Sequence, residues 1–215
     1  MPVGVPKVPY RNPDPDPDPM PNPESEDTND DDDDDREEWV DLHDRLYRIR
    51  ALFLFQELSD EVANNIMGLM SFLNIDDSRK EQFLFINSPG GGLINGLGVY
   101  DMSQAVLPDV HTLCVGEASS MAALILAGGA DTKRIAFPHS NVMIHQPRSS
   151  RGEGPPDEVY MEGEYMDTLR NTVEDLYVRI TRQPISVIHE DMNRQRLLTA
   201  TEAKDYGIVD SVGAD

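Results

Sequence analysis

The chain has one cysteine, one tryptophan and little positive charge. With Cys114 as its only thiol, no disulfide can close within the 215 residues, which fits a reducing compartment. Eighteen Lys and Arg stand against 40 Asp and Glu, for a net charge of −22. Such a surface repels phosphate backbones and argues against nucleic acid as a partner. No stretch reaches the ~18 consecutive apolar residues of a membrane span, so no membrane partner is expected. The N-terminus has no apolar signal core, and it is acidic where organelle transit peptides are Arg-rich and poor in acids. The protein is therefore expected to act in the compartment where it is made.

The low hydrophobic share, 39%, is a local deficit. Residues 1–38 carry 14 acids against Lys7, Arg11 and Arg36, half of the net charge. Prolines extend residues 1–11, and 12–35 alternate Asp-Pro before an aspartate run, where proline denies regular hydrogen bonding and like charges repel. This reads as an extended, largely disordered N-terminal segment, residues 1–38, with residues 39–215 as one folded domain. The aspartates lack the glycine and closing glutamate of a calcium loop, so no metal site is assigned.

Past Trp39, Val40, Leu42, Leu46 and Ile49 recur at helical spacing. Leu52–Phe55, Phe83–Ile86, Val110–Val115, Arg134–Phe137 and Asn141–Ile144 read as strands. Helices are expected from a Ser59 cap through Phe72, over Gly96–Val106 and over Ser120–Leu126. A long helix follows over about Asp157–Thr181, with Val159, Glu162, Tyr165, Met166, Leu169, Val173, Leu176, Tyr177 and Ile180 on one face. A capped helix from Thr199 to the stop at Gly207 closes the chain. Alternating strands and helices indicate an α/β fold. Cys114 sits in a core strand and reads as a small buried hydrophobe rather than a nucleophile.

Two segments carry chemistry. Gly116-Glu-Ala-Ser-Ser-Met121 places hydroxyls where the apolar run Ala122–Ala127 begins, and Met143-Ile-His-Gln-Pro147 places an imidazole in another apolar run. A hydroxyl becomes a useful nucleophile when a base accepts its proton, and imidazole suits that task near neutral pH. Upstream, Phe83–Gly92 ends in glycines whose amides can approach an oxyanion. Together these parts describe acyl transfer, most simply peptide hydrolysis. A serine before a helix also reads as an N-cap. His145 likewise reads as a hydrogen-bonded core histidine, the default for His43, His111, His139 and His189.

The segments Pro2–Pro9, Ile86-Asn-Ser-Pro-Gly-Gly91, Tyr100-Asp101, Pro108–Val110, Ser120-Met121, Lys133-Arg134, Met143–Pro147 and Ala203–Asp210 stand together as in one family. The chain resembles the proteolytic subunit of the caseinolytic (Clp) protease, and its opening resembles the plastid-encoded type. The likeness covers residues 1–11 and about 37–213, with the acidic segment as an insertion. It implies a crotonase-like α/β fold of stacked ββα units with a protruding long handle helix. It also implies a serine endopeptidase acting on unfolded proteins in a chamber of two stacked seven-membered rings, formed with itself or related subunits. An ATP-driven AAA+ unfoldase would feed the chamber, leaving this subunit without a cofactor. The expected location is the chloroplast stroma.

The resemblance makes Ser120 the nucleophile, with Ser119 a distractor, and His145 the base. Gly91 and Met121 supply the oxyanion amides. At the third triad position it places Gln195, where the family has aspartate. An amide oxygen can still accept from the imidazole but brings no negative charge, and Asp191, four residues earlier, is a candidate substitute. Two alternatives follow: a catalytically impaired structural ring subunit, and acyl-CoA chemistry on the same superfold. The acidic insert is expected either to concentrate negative charge at the axial opening or to be inert.

Overall fold

The computed structural model describes residues 6–10, 38–146 and 156–213. The acidic insert 12–35, Pro147 and the side chains of Val159 and Glu162 lie outside the described residues. Contacts divide the chain into residues 1–49 and 50–215.

In the first unit, β1 (Lys7–Tyr10) pairs antiparallel with β2 (Glu38–Asp41), Lys7 opposite Asp41 and Tyr10 opposite Glu38. Helix α1 (Leu42–Arg48) follows directly. The helical spacing that included Val40 thus begins one element too early: Val40 faces Val8 in a strand ladder instead. None of the residues of α1 is buried.

The second unit holds β3 (Ala51–Leu54), α2 (Asp60–Asp76), β4 (Gln82–Ser88), α3 (Leu93–Ala105), β5 (Val110–Ser119) and α4 (Met121–Ala127). It continues with β6 (Arg134–Ala136), β7 (Asn141–Ile144), α5 (Pro156–Thr181), α6 (Ile185–Asn193), β8 (Arg196–Thr199), α7 (Ala200–Tyr206) and β9 (Ser211–Val212). This is the α/β architecture expected. Strands run parallel in the order β3-β4-β5-β6-β9, and β7 adds in parallel to β5 and antiparallel to β8. Parallel neighbours need crossovers, and α2, α3 and α4 lie between consecutive strands of that order. Long helix α5 buries Val173, Leu176 and Tyr177 in its second half, while Tyr160, Met161 and Tyr165 stay exposed in its first.

Local chemistry explains the element ends. Ser59 Oγ accepts from Val62 N at 3.4 Å and starts α2, whose Ala63, Ile66, Met70 and Leu73 recur at helical spacing and are buried. Arg50 closes the other end: its guanidinium donates to Leu73 O at 3.0 Å, which also accepts from Asp77 N at 3.2 Å, and to Asp76 Oδ2 at 2.8 Å. Thr199 and Glu202 form a reciprocal capping box on α7, and Gly207 ends it at φ 93°, a left-handed position that favours glycine. Cys114 is fully buried, and burial pushes its thiol up to about 11, so the thiolate needed for nucleophilic chemistry is absent near neutral pH.

Two carboxylates tie distant elements together. Asp210 pairs with Arg134 Nη2 at 2.5 Å, and Asp191, 1% exposed, accepts from Arg194 and Arg196 at 2.6 Å each and from the Tyr206 hydroxyl at 3.0 Å. Burial pushes both carboxyls up, but their hydrogen bonds to these partners outweigh it and hold each below the ordinary range. The unfolded chain therefore takes up these protons first as pH falls. The stability they give is complete above about pH 4 and is lost as pH drops through the lowered values. Thermal melts from pH 7 to pH 2 are expected to stay flat to about pH 4 and then fall, with a shallower acid limb in Asp191→Asn. An unchanged acid limb in that variant would count against the role of Asp191.

Candidate active site

Strand β5 is the axis of the site. Its first half pairs with β4 and β6, and its last residues, Glu117 to Ser119, pair with β7. The strand outruns the expected Val110–Val115 because a bulge intervenes. Between the pairs Ile86–Cys114 and Ser88–Ala118, one residue of β4 faces three of β5. Gly116, at φ 95°, makes the turn, and Asn87 Oδ1 accepts from Glu117 N at 3.3 Å. After the bulge the strand resumes and delivers Ser119 opposite Met143.

Ser120 then sits alone between strand and helix. Its backbone is at φ 56°, ψ −124°, a strained conformation for a residue with a Cβ, and its side chain makes no capping hydrogen bond to α4. The N-cap alternative for this serine is therefore unsupported. A sharp strand-to-helix turn of this kind lifts a hydroxyl clear of the backbone in hydrolases built on α/β sheets. Ser120 is half-buried, whereas Ser119 is 4% exposed. Ser120 N donates to Met143 O at 2.9 Å, which locks the turn to β7.

The glycine turn meets the same point from β4. Gly90 is at φ 89°, and a Cβ built on it would come within 2.5 Å of Ser119 O, 2.7 Å of Ser120 Cβ and 3.1 Å of Met121 N. Only a residue without a side chain lets the two segments approach this closely. The neighbouring bonds run from Leu58 N to Gly90 O and from Gly92 N to Leu58 O, so the alternation of an extended chain turns the Gly91 N–H to the opposite side. Neither the Gly91 nor the Met121 N–H has an acceptor among the described residues. Two unpaired amides beside a hydroxyl are the donors that a tetrahedral oxyanion needs. Ser88, fully buried, steadies the turn: its hydroxyl donates to Gln56 O at 2.7 Å and accepts from Gly90 N at 3.1 Å.

His145 follows β7, two residues or about 7 Å of extended chain beyond Met143. Its Nδ1 lies 2.8 Å from Gln146 O. A carbonyl only accepts, so Nδ1 carries the proton and Nε2 keeps the lone pair, the tautomer a general base requires. Among the described residues no hydrogen bond reaches the Ser120 hydroxyl. The structure thus brings Ser120, Gly91 and Met121 together and sets His145 on the adjacent strand end without closing a serine–histidine hydrogen bond.

The third position is different. Helix α6 ends at Asn193, so Gln195 lies beyond it, exposed and at φ 56°, its backbone N donating to Met192 O at 3.4 Å. Its side chain forms no hydrogen bond among the described residues. Asp191 is held by Arg194, Arg196 and Tyr206 as described, not by His145. The other histidines are not core residues either: His43 and His139 are exposed, His111 pairs with Glu81 at 2.8 Å, and the side chain of His189 is 60% exposed. Sequence reasoning missed Gln146, whose carbonyl holds the imidazole, and Glu174, which holds Gln146. A carboxylate on the buried face of a long amphipathic helix was the available signal for Glu174. Among the described residues no group of three or more His, Cys, Asp or Glu is placed to hold a metal.

Comparison with known proteins gives the family of the chain. The family model of Clp protease matches residues 34–215. The chain is 49% identical over 212 residues to the ATP-dependent Clp protease proteolytic subunit of Cucumis sativus, covering 99% of each chain. It is 48% identical over 215 residues to that of Nicotiana tabacum, covering all of both, and 46% identical to that of Marchantia polymorpha, covering 100% of this chain and 97% of the relative. The chain belongs to the Clp protease family.

Proposed function

We propose that this chain is a serine endopeptidase subunit in which Ser120 attacks the scissile carbonyl and His145 Nε2 takes its proton. His145 then returns the proton to the leaving amine, while the Gly91 and Met121 amides hold the oxyanion. The observation that carries this reading is the strained, uncapped Ser120 beside two N–H groups that lack acceptors among the described residues. Subunits assemble into two stacked seven-membered rings, with this chain or related ones, and the exposed Tyr160, Met161 and Tyr165 on α5 supply apolar surface for that contact. An AAA+ unfoldase spends the ATP and delivers unfolded protein, so no cofactor belongs to this subunit. The plant and algal relatives support a chloroplast stroma location.

The direct test is cleavage by the assembled chain. Short fluorogenic peptides are expected to be cut without ATP, and folded proteins only with the unfoldase and ATP. A second reading, a ring member that gives structure while neighbours cut, is favoured by the exposed Gln195. Assembled rings of this chain alone that cut no peptide would establish it.

The acidic insert, if it lines the axial opening, makes admission of basic substrates salt-sensitive because a screened surface field weakens with ionic strength. Basic unfolded substrates are expected to be degraded faster than acidic ones at low salt, with the difference vanishing at high salt. Equal rates at low salt would make the insert inert.

A further inference from the structure

We infer that Glu174, a carboxylate on α5, is the positioning residue of this site, holding through Gln146 the carbonyl to which His145 donates. This rests on the reading of Ser120 and His145 as nucleophile and base. Gln146 is fixed at three points: its N donates to Met192 O at 3.0 Å, its O accepts from His145 Nδ1 at 2.8 Å, and its Nε2 donates to Glu174 Oε1 at 2.5 Å. Glu174 is 5% exposed. A carboxylate only accepts, so it dictates which end of the Gln146 amide faces it. His189 Nδ1, 2.9 Å from the same oxygen, brings α6 to the cluster.

The chemistry makes this restraint matter. A carbonyl of the adjacent residue is a weak tether for an imidazole, because rotation of the intervening backbone moves both together. Anchoring the Gln146 side chain to a buried carboxylate on helix α5 removes that freedom. The side chain of Gln195 is exposed and gives the ring nothing, so tautomer control passes to Gln146 O and its anchor. Asp167, Arg170, Asn171 and Asn193 complete the wall of a cavity of about 410 Å³ around Gln146, Glu174 and His189.

The test is the rate at which a fluorophosphonate phosphonylates Ser120, with loss of fluoride, in the assembled full chain, with assembly followed by sedimentation. Glu174→Ala and Gln146→Ala are each expected to slow phosphonylation roughly 10- to 100-fold. The double variant should be no slower than the slower single one, because both remove the hydrogen bond between Gln146 and Glu174. Glu174→Gln, which keeps an accepting oxygen, should restore most of the rate. Single variants at the wild-type rate, losses that multiply, or no rescue by Glu174→Gln would overturn the inference. If Glu174→Ala does not fold, Gln146→Ala removes the same bond from the other side and decides alone. Wild-type labelling that survives in Ser120→Ala, or no labelling at all, rejects the underlying assignment of Ser120. Ser120-dependent labelling that is indifferent to Glu174 and Gln146 rejects only this inference.

Discussion

Gln195→Asp is expected to raise peptide turnover about 10- to 100-fold, equivalent to about 1.4–2.8 kcal/mol of transition-state stabilisation. The size follows from what the site already has. Replacing a triad aspartate with an amide costs about 10⁴ in trypsin, largely because the imidazole adopts the wrong tautomer. Here Gln146 O already holds the proton on Nδ1, so the missing contribution is the negative charge that stabilises imidazolium. Restoring the carboxylate adds that charge without having to correct the tautomer. The positive φ at Gln195 tolerates aspartate better than a β-branched residue. Steady-state hydrolysis of a short peptide measures it, and unchanged turnover in correctly assembled rings would show that the departure at this position is not limiting.

Ser120→Ala carries the largest effect. Loss of the nucleophile in subtilisin costs about 2 × 10⁶ in turnover, with the residual rate coming from binding and the oxyanion donors, and a fall of at least about 10⁴ is expected here. Ser119→Ala separates chemistry from neighbourhood. Ser119 is buried and paired with Met143 at the end of β5, so its hydroxyl has no route to substrate. That variant should retain activity within a few-fold. Activity lost in Ser119→Ala and kept in Ser120→Ala would reverse the assignment.

Much of this architecture was legible where local chemistry decides it. Ser59 and the Thr199–Glu202 box mark helix starts by their own hydrogen bonds, and Gly207 marks a stop by its left-handed backbone. The alternation of strands and helices gave the α/β class, and burial of Cys114 followed from its place in an apolar run. What escaped depended on partners far away in the chain. The end of β5 was hidden because a bulge at Gly116 interrupts the strand pattern and the pairing with β7 resumes only beyond it. Val40 fits a helical stripe in sequence, yet Val8 takes it into a ladder across an insertion that separates the two strands. The role of Gln146 required knowing that Glu174, on the long helix α5, reaches it.

The central claim is that Ser120 reacts at a point shared with the Gly91 and Met121 amides and served by His145. Mass-spectrometric mapping of the fluorophosphonate adduct in the assembled protein tests it most directly. The adduct is expected on Ser120 alone, formed much more slowly in His145→Ala and absent in Ser120→Ala. An adduct on Ser119 or another hydroxyl, or assembled wild-type protein that takes up no probe, would contradict it.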